Sequence, residues 1–499
     1  MAAPRPASHL PRKAYVETYG CQMNVADGEL MQGILAARGY EIVGTPEEAD
    51  VVLVNTCAIR EHAEQRVIGR VGELYRIKRE RPDLVIGVTG CMAQRLGGKL
   101  LEQAPYVDLV MGPDAYRGLP ETLGRLRPAL AAPGDEAAAA PVAPSPAPRE
   151  PDAPRSARRS LPVMAAAAPP AAEAAGRIAA LDFSPHEHYE GLEARRASRV
   201  SAWVPVQRGC NYRCTYCIVP YVRGDEKNRA PEQVLDEVRR AVDSGIPEVV
   251  LLGQTVNSYE HGDWDFPRML RAVARVDGVR RVRFTSPHPN DFTRGLVEVM
   301  AEEPAVCEQL HLPVQSGHDR TLKRMLRRYT VAEYLEKLDW VREAVPGIAL
   351  STDIIVAFPG ETEEEYEATL ELVRRVRYDD AYLYKYSPRD GTPATRLPPE
   401  QFVAAAVAQE RLERLIELHR GIQAEINRAE VGRVVEVLVE REARTRGDVL
   451  GRTRANKVVA FAGEPAWVGR FLDVRLTGTT GATFTGEVVA AEREGARVA

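Results

Sequence analysis

Of the 499 residues only seven are cysteine, an odd number, and a closed disulfide framework is not expected from them. Metal binding or redox chemistry becomes the leading use for these thiols. No stretch approaches the roughly 18 uninterrupted apolar residues that a membrane-spanning helix needs. The opening MAAPRPASHLPRKAYV is broken by proline and lacks an apolar core, so a secretory signal is not expected, and as a transit peptide it is short and weak. A cytoplasmic protein without membrane contact is the expectation. Positive charge is not in excess: 66 Lys and Arg stand against 71 Asp and Glu, a net charge of −5. That balance excludes a uniformly basic nucleic-acid coat but not a local basic surface. There is no internal repeat and no phosphate-loop signature.

What is present divides into four parts. Residues 131–180 hold 20 Ala and 10 Pro, with Val142, Leu161, Val163 and Ile178 as the larger aliphatics. Such a segment buries too little apolar surface to offset its ordering entropy, so 128–195 reads as a disordered tether. Before it, in 1–127, strand-like runs at Ala14–Glu17, Val51–Asn55, Leu84–Val88 and Val107–Met111 alternate with helical segments such as Asp27–Arg38 and Ala63–Arg79. This pattern predicts a small parallel α/β domain. In 196–430, six strand candidates alternate with helices: Trp203–Val206, Val249–Leu252, Val282–Thr285, Gln309–Leu312, Ile348–Val356 and Ala381–Tyr386. Six β/α units predict an open or partial barrel with its chemistry at the C-terminal strand ends. A long polar helix from about Pro399 to Arg428 follows. From 431 to 499 the apolar residues alternate, which predicts a small antiparallel β barrel.

The cysteines carry the sharpest signal. Cys210, Cys214 and Cys217 form a CxxxCxxC directly after the first barrel strand. Three thiolates hold three irons of a cubane cluster and leave the fourth iron open for a ligand that is not protein. A structural zinc site normally closes with four ligands, and the following IVPYVRGDEKNR offers none. Cys21, Cys57 and Cys91, in TYGCQMN, VNTCAIR and VTGCMAQ, each close a predicted strand. Neighbouring parallel strands would bring them to one sheet edge as a second three-thiolate site; the alternative is three buried core thiols. Cys307 has no companion and reads as core.

These motifs, with LLGQTVNSY, LHLPVQSG, DIIVAFPGETEEEY, SPRDGTPA and GRTRANKVV, resemble the methylthiotransferase branch of the radical S-adenosylmethionine enzymes. Within that branch the likeness is strongest to those acting on adenosine 37 of tRNA. The resemblance implies a flavodoxin-like N-terminal domain, a partial (β/α)6 radical barrel and a C-terminal RNA-binding TRAM barrel of OB-like form. It implies two 4Fe–4S clusters, one on Cys210, Cys214 and Cys217 with S-adenosylmethionine on its open iron, the other on Cys21, Cys57 and Cys91. The implied reaction places a methylthio group at C2 of N6-(dimethylallyl)adenosine 37 in the anticodon loop. The implied partners are tRNA, a flavodoxin or ferredoxin as electron donor, and a sulfur-supplying or cluster-carrier protein, with the chain a monomer. Related branches that act on threonylcarbamoyl-adenosine or on a ribosomal-protein aspartate are the nearest alternatives, and a noncatalytic metal-cluster RNA-binding protein is a more distant one.

Around the radical site, Gln254, Ser286, Gln315 and Asp353 are read as polar groups in the loops after the barrel strands, where a nucleoside cofactor would lie, each alternatively a strand cap or turn residue. Tyr216 occupies the position at which the superfamily has an aromatic residue beside the adenine, or else it shields the cluster. Thr362 in PGET reads as a helix N-cap, and His311 as packed and satisfied, not catalytic. Tyr382, Tyr384 and Tyr386 either stack a flipped base or pack internally. Two basic features point to RNA: Arg320, Lys323, Arg324, Arg327 and Arg328 on one helical face, and Arg441, Arg444, Arg446, Arg452, Arg454 and Lys457 in the last domain.

Overall fold

The computed structural model describes residues 12–58, 61–130 and 176–490, which fall into two compact units divided between Arg195 and Arg196. In the first unit six strands run parallel: β1 (Arg12–Thr18), β2 (Tyr40–Ile42), β3 (Val51–Thr56), β4 (Val85–Gly90), β5 (Leu109–Met111) and β6 (Ile178–Ala180). Their spatial order is β2-β1-β3-β4-β5-β6, whose first five members follow the flavodoxin-like order. Every residue of β3 and β4 is buried, because helices cover both sheet faces. Val52, Val54, Ile86 and Val88 enter one core, and Val51, Leu53, Val85 and Leu109 the other. The period of two thus sorts one strand into two cores.

The expected tether 128–195 is corrected at its C-terminal part. Ile178–Ala180 is the sixth strand, with Ile178 opposite Leu109 and the Gly112 N–H donating to the Ala180 carbonyl at 2.8 Å. Tyr189 is buried, stacks on Tyr116 at 6.0 Å and donates its hydroxyl to the Pro113 carbonyl. A strand needs only a few backbone hydrogen bonds and small apolar side chains, which Ile-Ala-Ala supplies. Residues 131–175 lie outside the described residues.

The second unit begins with six parallel strands: β7 (Ser201–Pro205), β8 (Glu248–Leu252), β9 (Arg281–Phe284), β10 (Gln309–His311), β11 (Ala349–Val356) and β12 (Asp380–Lys385). They pair as β7-β8-β9 and β10-β11-β12, bridged where Val282 meets Val306 and donates to the Ala305 carbonyl at 2.7 Å. Among the described residues β12 does not pair with β7, so the barrel is open, as the six β/α units predicted. Thr330 and Thr362 cap their helices, each within a capping box whose glutamate reaches back, Glu333 and Glu365. Thr362 thus takes its expected place. The long helix begins later than expected, at Ala405, because Pro398 and Pro399 hold the preceding chain in a separate short turn.

Five further strands close a barrel: β13 (Val434–Glu442), β14 (Asp448–Thr453), β15 (Val458–Ala462), β16 (Phe471–Thr479) and β17 (Thr483–Ala490), in the order β13-β14-β15-β17-β16. It docks on the N-terminal ends of the open-barrel strands, opposite the cysteine-bearing loop. Arg283 is the centre of this seam. Its guanidinium donates to Glu248 at 3.0 Å and to the carbonyls of Thr453 and Arg454 at 2.8 Å each. Arg281, fully buried, reaches Glu436 at 2.7 Å and the Arg452 carbonyl at 2.9 Å.

This seam generates a stability prediction. Arg283→Ala leaves the Glu248 carboxylate and two carbonyls buried without their donor, a loss of about 3–5 kcal/mol for a broken buried pair. Arg268→Ala removes surface contacts, an exposed pair with Asp263 and a guanidinium over the Trp264 ring, and costs far less. Thermal unfolding of the two variants should show a clear drop in midpoint for the first and almost none for the second.

Candidate metal centres and active site

In the first unit the three cysteines follow three adjacent strand ends. Cys21 precedes the helix Gln22–Ala37 after β1, Cys57 follows β3, and Cys91 opens the helix Cys91–Leu96 after β4. The loops are stitched together by buried polar side chains. Asn24 donates to the Thr56 carbonyl at 3.0 Å, Asn55 donates to the Asn24 carbonyl at 2.7 Å, and the Thr56 hydroxyl donates to the Thr89 carbonyl at 2.7 Å. Gly20, at φ 138°, lets the Cys21 loop approach Cys57, whose Cβ would lie 2.5 Å from a Cβ added there. Cys57 and Cys91 are buried and Cys21 is half-buried. A topological switch point falls between β1 and β3, the place where parallel sheets bind ligands.

In the second unit the CxxxCxxC loop leaves the C-terminal end of β7. Gly209, at φ 76°, turns the chain where any Cβ would run into the Asp225 carbonyl. Beyond it the Cys210 N–H donates to the Gly224 carbonyl at 3.2 Å, and Arg213 clasps the Cys210 carbonyl at 2.9 Å and Asp225 at 2.6 Å. Thr215 donates to the carbonyls of Met325 at 3.1 Å and Arg324 at 2.9 Å. Burial pushes the Cys210 thiol up to about 11, against the Tyr212 N–H, which favours the thiolate. Burial, and then the neighbouring Cys214, push Cys217 up to about 12. Thiols held up in this way, Cys210 and Cys217, become thiolates only beside a strong cationic centre. Among the described residues no three side chains converge on a single ion. A cubane gives each cysteine its own iron, so this donor set suits a cluster better than one zinc.

Of the other expected site residues, Gln254, Ser286 and Gln315 follow strand ends, whereas Asp353, expected in a loop, lies inside β11 because the strand continues to Val356. Ser286 after β9, Gln315 after β10 and Ala357 after β11 all hold left-handed backbone, at φ 58°, 70° and 57°. Such conformations in non-glycine residues are uncommon and gather at ligand sites. Gln315 also extends the sheet, donating from its N–H to the Asp353 carbonyl at 2.9 Å. Gln254 leaves its Oε1 buried without a partner, an acceptor that suits a hydroxyl or amino group brought by a ligand. Asp353 projects on the same face of β11 as Ser351, with His311 Nε2 3.6 Å away. His311 is therefore half-buried in a polar cluster, where its Nδ1 meets the Ser351 hydroxyl at 3.1 Å. Tyr216 packs against the apolar cluster of Met325, Phe358 and Ala394. Tyr382 is 46% exposed and sits edge-on to His311, so it is not internal packing. Cys307 is buried, as expected.

Three family models match the chain: "Uncharacterized protein family UPF0004" over 13–112, "Radical SAM superfamily" over 204–373, and "TRAM domain" over 428–489. The tRNA-2-methylthio-N(6)-dimethylallyladenosine synthase of Moorella thermoacetica is 42% identical over 489 residues, 96% of this chain and 99% of the relative. That of Chlorobium limicola is 40% identical over 479 residues, 95% of this chain and 97% of the relative. The chain belongs to the tRNA-2-methylthio-N(6)-dimethylallyladenosine synthase family. Among solved structures, the radical S-adenosylmethionine methyltransferase TsrM of Kitasatospora setae superposes with a TM-score of 0.54 at 14% identity, covering 82% of this chain and 89% of that one. That likeness speaks for the fold. As a radical S-adenosylmethionine enzyme, a member of this synthase family uses S-adenosylmethionine and a 4Fe–4S cluster, and the crowded thiols and the unpartnered Gln254 acceptor fit them.

In this synthase-family chain the basic residues are placed differently from the sequence expectation. The helix Asp319–Arg324 is short, and its two arginines share one carboxylate: Arg320 meets Glu365 at 2.7 Å, and Arg324 also pairs with it, which offsets part of their charge. The acid comes from another helix, which a search along one helix at i±4 does not see. Arg327 is buried and Arg324 half-buried, while Arg320, Lys323 and Arg328 are exposed. In the TRAM barrel, Arg454 binds Glu308 at 2.7 Å, Arg452 binds Glu440 at 3.0 Å, and Lys457 binds Asp379 at 2.7 Å and Glu430 at 2.5 Å. These three hold the two barrels together or brace the TRAM barrel. Arg441, Arg444 and Arg446 remain exposed. Sequence reading also missed Tyr212, whose hydroxyl donates to Asp291 at 2.8 Å and whose ring stacks on His288 at 3.8 Å. Its position inside CxxxCxxC was the available signal.

Glu365 gives a pH prediction. Burial raises its pKa, but hydrogen bonds from Arg324 and Arg320 outweigh burial and hold the carboxyl down at about 2. A depressed folded pKa contributes stability above the unfolded value near 4.5 that is lost as pH falls toward 2, here roughly 2 kcal/mol after screening of the exposed Arg320. The unfolding midpoint of Glu365→Gln should fall below that of the parent at pH 7. The gap should narrow steadily below about pH 4.5.

Proposed function

We propose that the chain installs a methylthio group at C2 of N6-(dimethylallyl)adenosine 37 of tRNA, in the cytoplasm. The observation that carries this reading is the pair of cysteine triplets, each at the C-terminal ends of parallel strands, in a chain 42% identical to a named synthase over nearly its whole length. Cys210, Cys214 and Cys217 would hold the cluster that binds S-adenosylmethionine. Cys21, Cys57 and Cys91 would hold a second 4Fe–4S cluster associated with the sulfur. When bound, these groups supply a carbon radical and a methylated sulfur. Tyr216, Gln254, Ser286, Gln315 and Asp353 orient the nucleoside part of the cofactor, and the left-handed turns at Ser286 and Gln315 fix where their polar groups point. Tyr212 and Thr215 pin the cluster loop from two sides, to the turn at Asp291 and to the Met325 turn. The 46%-exposed ring of Tyr382 offers a stacking surface for a splayed base.

Three domains divide the work in this proposal: a sulfur-donor domain, the radical barrel and an RNA-binding TRAM barrel. Among the described residues no helix is long and apolar enough to cross a membrane. An external one-electron donor and a sulfur-supplying protein complete the proposal, with the chain acting as a monomer.

Anaerobically reconstituted protein should bind about eight irons per chain, falling to about four in the Cys210→Ala, Cys214→Ala, Cys217→Ala variant. Cys57→Ala should still cleave S-adenosylmethionine to 5′-deoxyadenosine yet give no methylthio product, whereas Cys214→Ala loses both. Stoichiometric zinc, or methylthiolation by Cys57→Ala, would contradict the proposal. For RNA, changing the exposed Arg441, Arg444 and Arg446 to Ala should weaken tRNA binding. The log–log salt slope should flatten by up to about 0.9 for each duplex phosphate that the variant no longer neutralises. Arg452→Ala and Arg454→Ala should act on stability instead of on that slope.

A further inference from the structure

The helix Asp319–Arg324 ends in a Schellman turn. The Arg327 N–H donates to the Leu322 carbonyl at 2.9 Å, the Leu326 N–H donates to the Lys323 carbonyl at 3.0 Å, and Leu326 holds the left-handed position at φ 57°. That position favours glycine, and the residue after it is usually apolar and packs back on the helix. Here the pattern is inverted: Leu326 is 50% exposed and an arginine is driven inward to 8% exposure.

The buried guanidinium is held from three directions. Its Nε donates to the Tyr329 hydroxyl at 3.0 Å and its Nη2 to the Pro313 carbonyl at 3.1 Å. Its Nη1 points at the Cys214 sulfur, 3.6 Å away. Among the described residues no carboxylate pairs with it. A buried charge without a counter-ion is costly, so the site calls for an anionic partner, and the nearest candidate is the Cys214 sulfur as a cluster ligand.

We propose that Arg327 is a positioning residue that raises the reduction potential of the cluster on Cys210, Cys214 and Cys217. It does so by donating a hydrogen bond to the Cys214 sulfur and placing a fixed positive charge beside it. This rests on the reading that those three cysteines hold a 4Fe–4S cluster. A cubane of formal charge +2 with three thiolates carries −1 overall, and one electron from an external low-potential donor takes it to −2 with no proton moved. A fixed cation stabilises the doubly negative state more than the singly negative one, and hydrogen bonds to cluster sulfurs act in the same direction. The Schellman turn, Tyr329 and the Pro313 carbonyl keep the cation in place before the electron arrives.

The test uses the full chain with Cys21, Cys57 and Cys91 changed to Ala, so that a single cluster gives the signal. Iron content and a potentiometric titration followed by electron paramagnetic resonance are read for this parent and for Arg327→Lys and Arg327→Met. All three should hold about four irons per chain. At a fixed ambient potential the ratio of reduced to oxidised cluster should fall at least tenfold in Arg327→Met, a negative shift of about 59 mV or more for one electron. Arg327→Lys, which keeps the charge, should recover most of that ratio. An unmoved midpoint in Arg327→Met with iron retained overturns the proposal, as does an equal shift in the Lys and Met variants. Should Arg327→Met lose its iron, the neutral but hydrogen-bonding Arg327→Gln carries the same test, and an unmoved midpoint there overturns it. A parent that binds no iron overturns the cluster reading beneath it.

Discussion

A parallel sheet delivers all its C-terminal strand ends to one edge, and both cysteine sets depend on that constraint. In the first unit β1, β3 and β4 are neighbours, so residues 36 and 34 positions apart in the sequence leave the sheet side by side. In the second, one loop after β7 carries all three thiols, and the ends of β9, β10 and β11 bring Ser286, Gln315 and Ala357 to the same face. Left-handed turns at those three positions cost conformational energy that no helix or strand repays locally. The surrounding barrel holds them because its strands are buried on the helix-covered side, where Leu350, Ile354 and Val356 of β11 enter the main core.

The opposite end of the open barrel is closed by charge. Glu248, Arg281, Arg283, Glu308 and Asp379 stand at or just before strand starts and meet Glu436, Arg454, Lys457 and the backbone of β14. Replacing such a network with apolar residues need not weaken a protein, but removing one member does, because its partners stay buried. The arrangement fixes the orientation of the TRAM barrel on the radical barrel. It also uses for assembly the arginines that look, along the sequence, like an RNA-binding strip.

The strand positions were legible because alternation and apolar runs are local properties. Val249–Leu252 is observed as Glu248–Leu252, and Val51–Asn55 as Val51–Thr56. The cysteine sites were legible from spacing and from their place after strands. What was not legible depends on partners distant in sequence. Glu365 pairs with Arg320 and Arg324 from 45 and 41 residues away, and Glu308 takes Arg454 from 146 residues away. A charge count along the chain cannot register either. The edge strand Ile178–Ala180 escaped because it is three residues long and follows a segment of Ala and Pro composition, so no periodicity could develop. Arg327 escaped because the helical stripe assigned to it ends at Arg324, and the turn at Leu326 reverses which side faces inward.

The central claim is that two sets of three strand-end cysteines each hold an iron–sulfur cluster. Anomalous diffraction at the iron edge, from crystals of the anaerobically reconstituted chain, tests it most directly. Two iron-cluster peaks are predicted, one bonded to Cys210, Cys214 and Cys217 with the guanidinium of Arg327 beside the Cys214 sulfur, the other bonded to Cys21, Cys57 and Cys91. A single peak, or a peak bonded to other side chains, would contradict the claim.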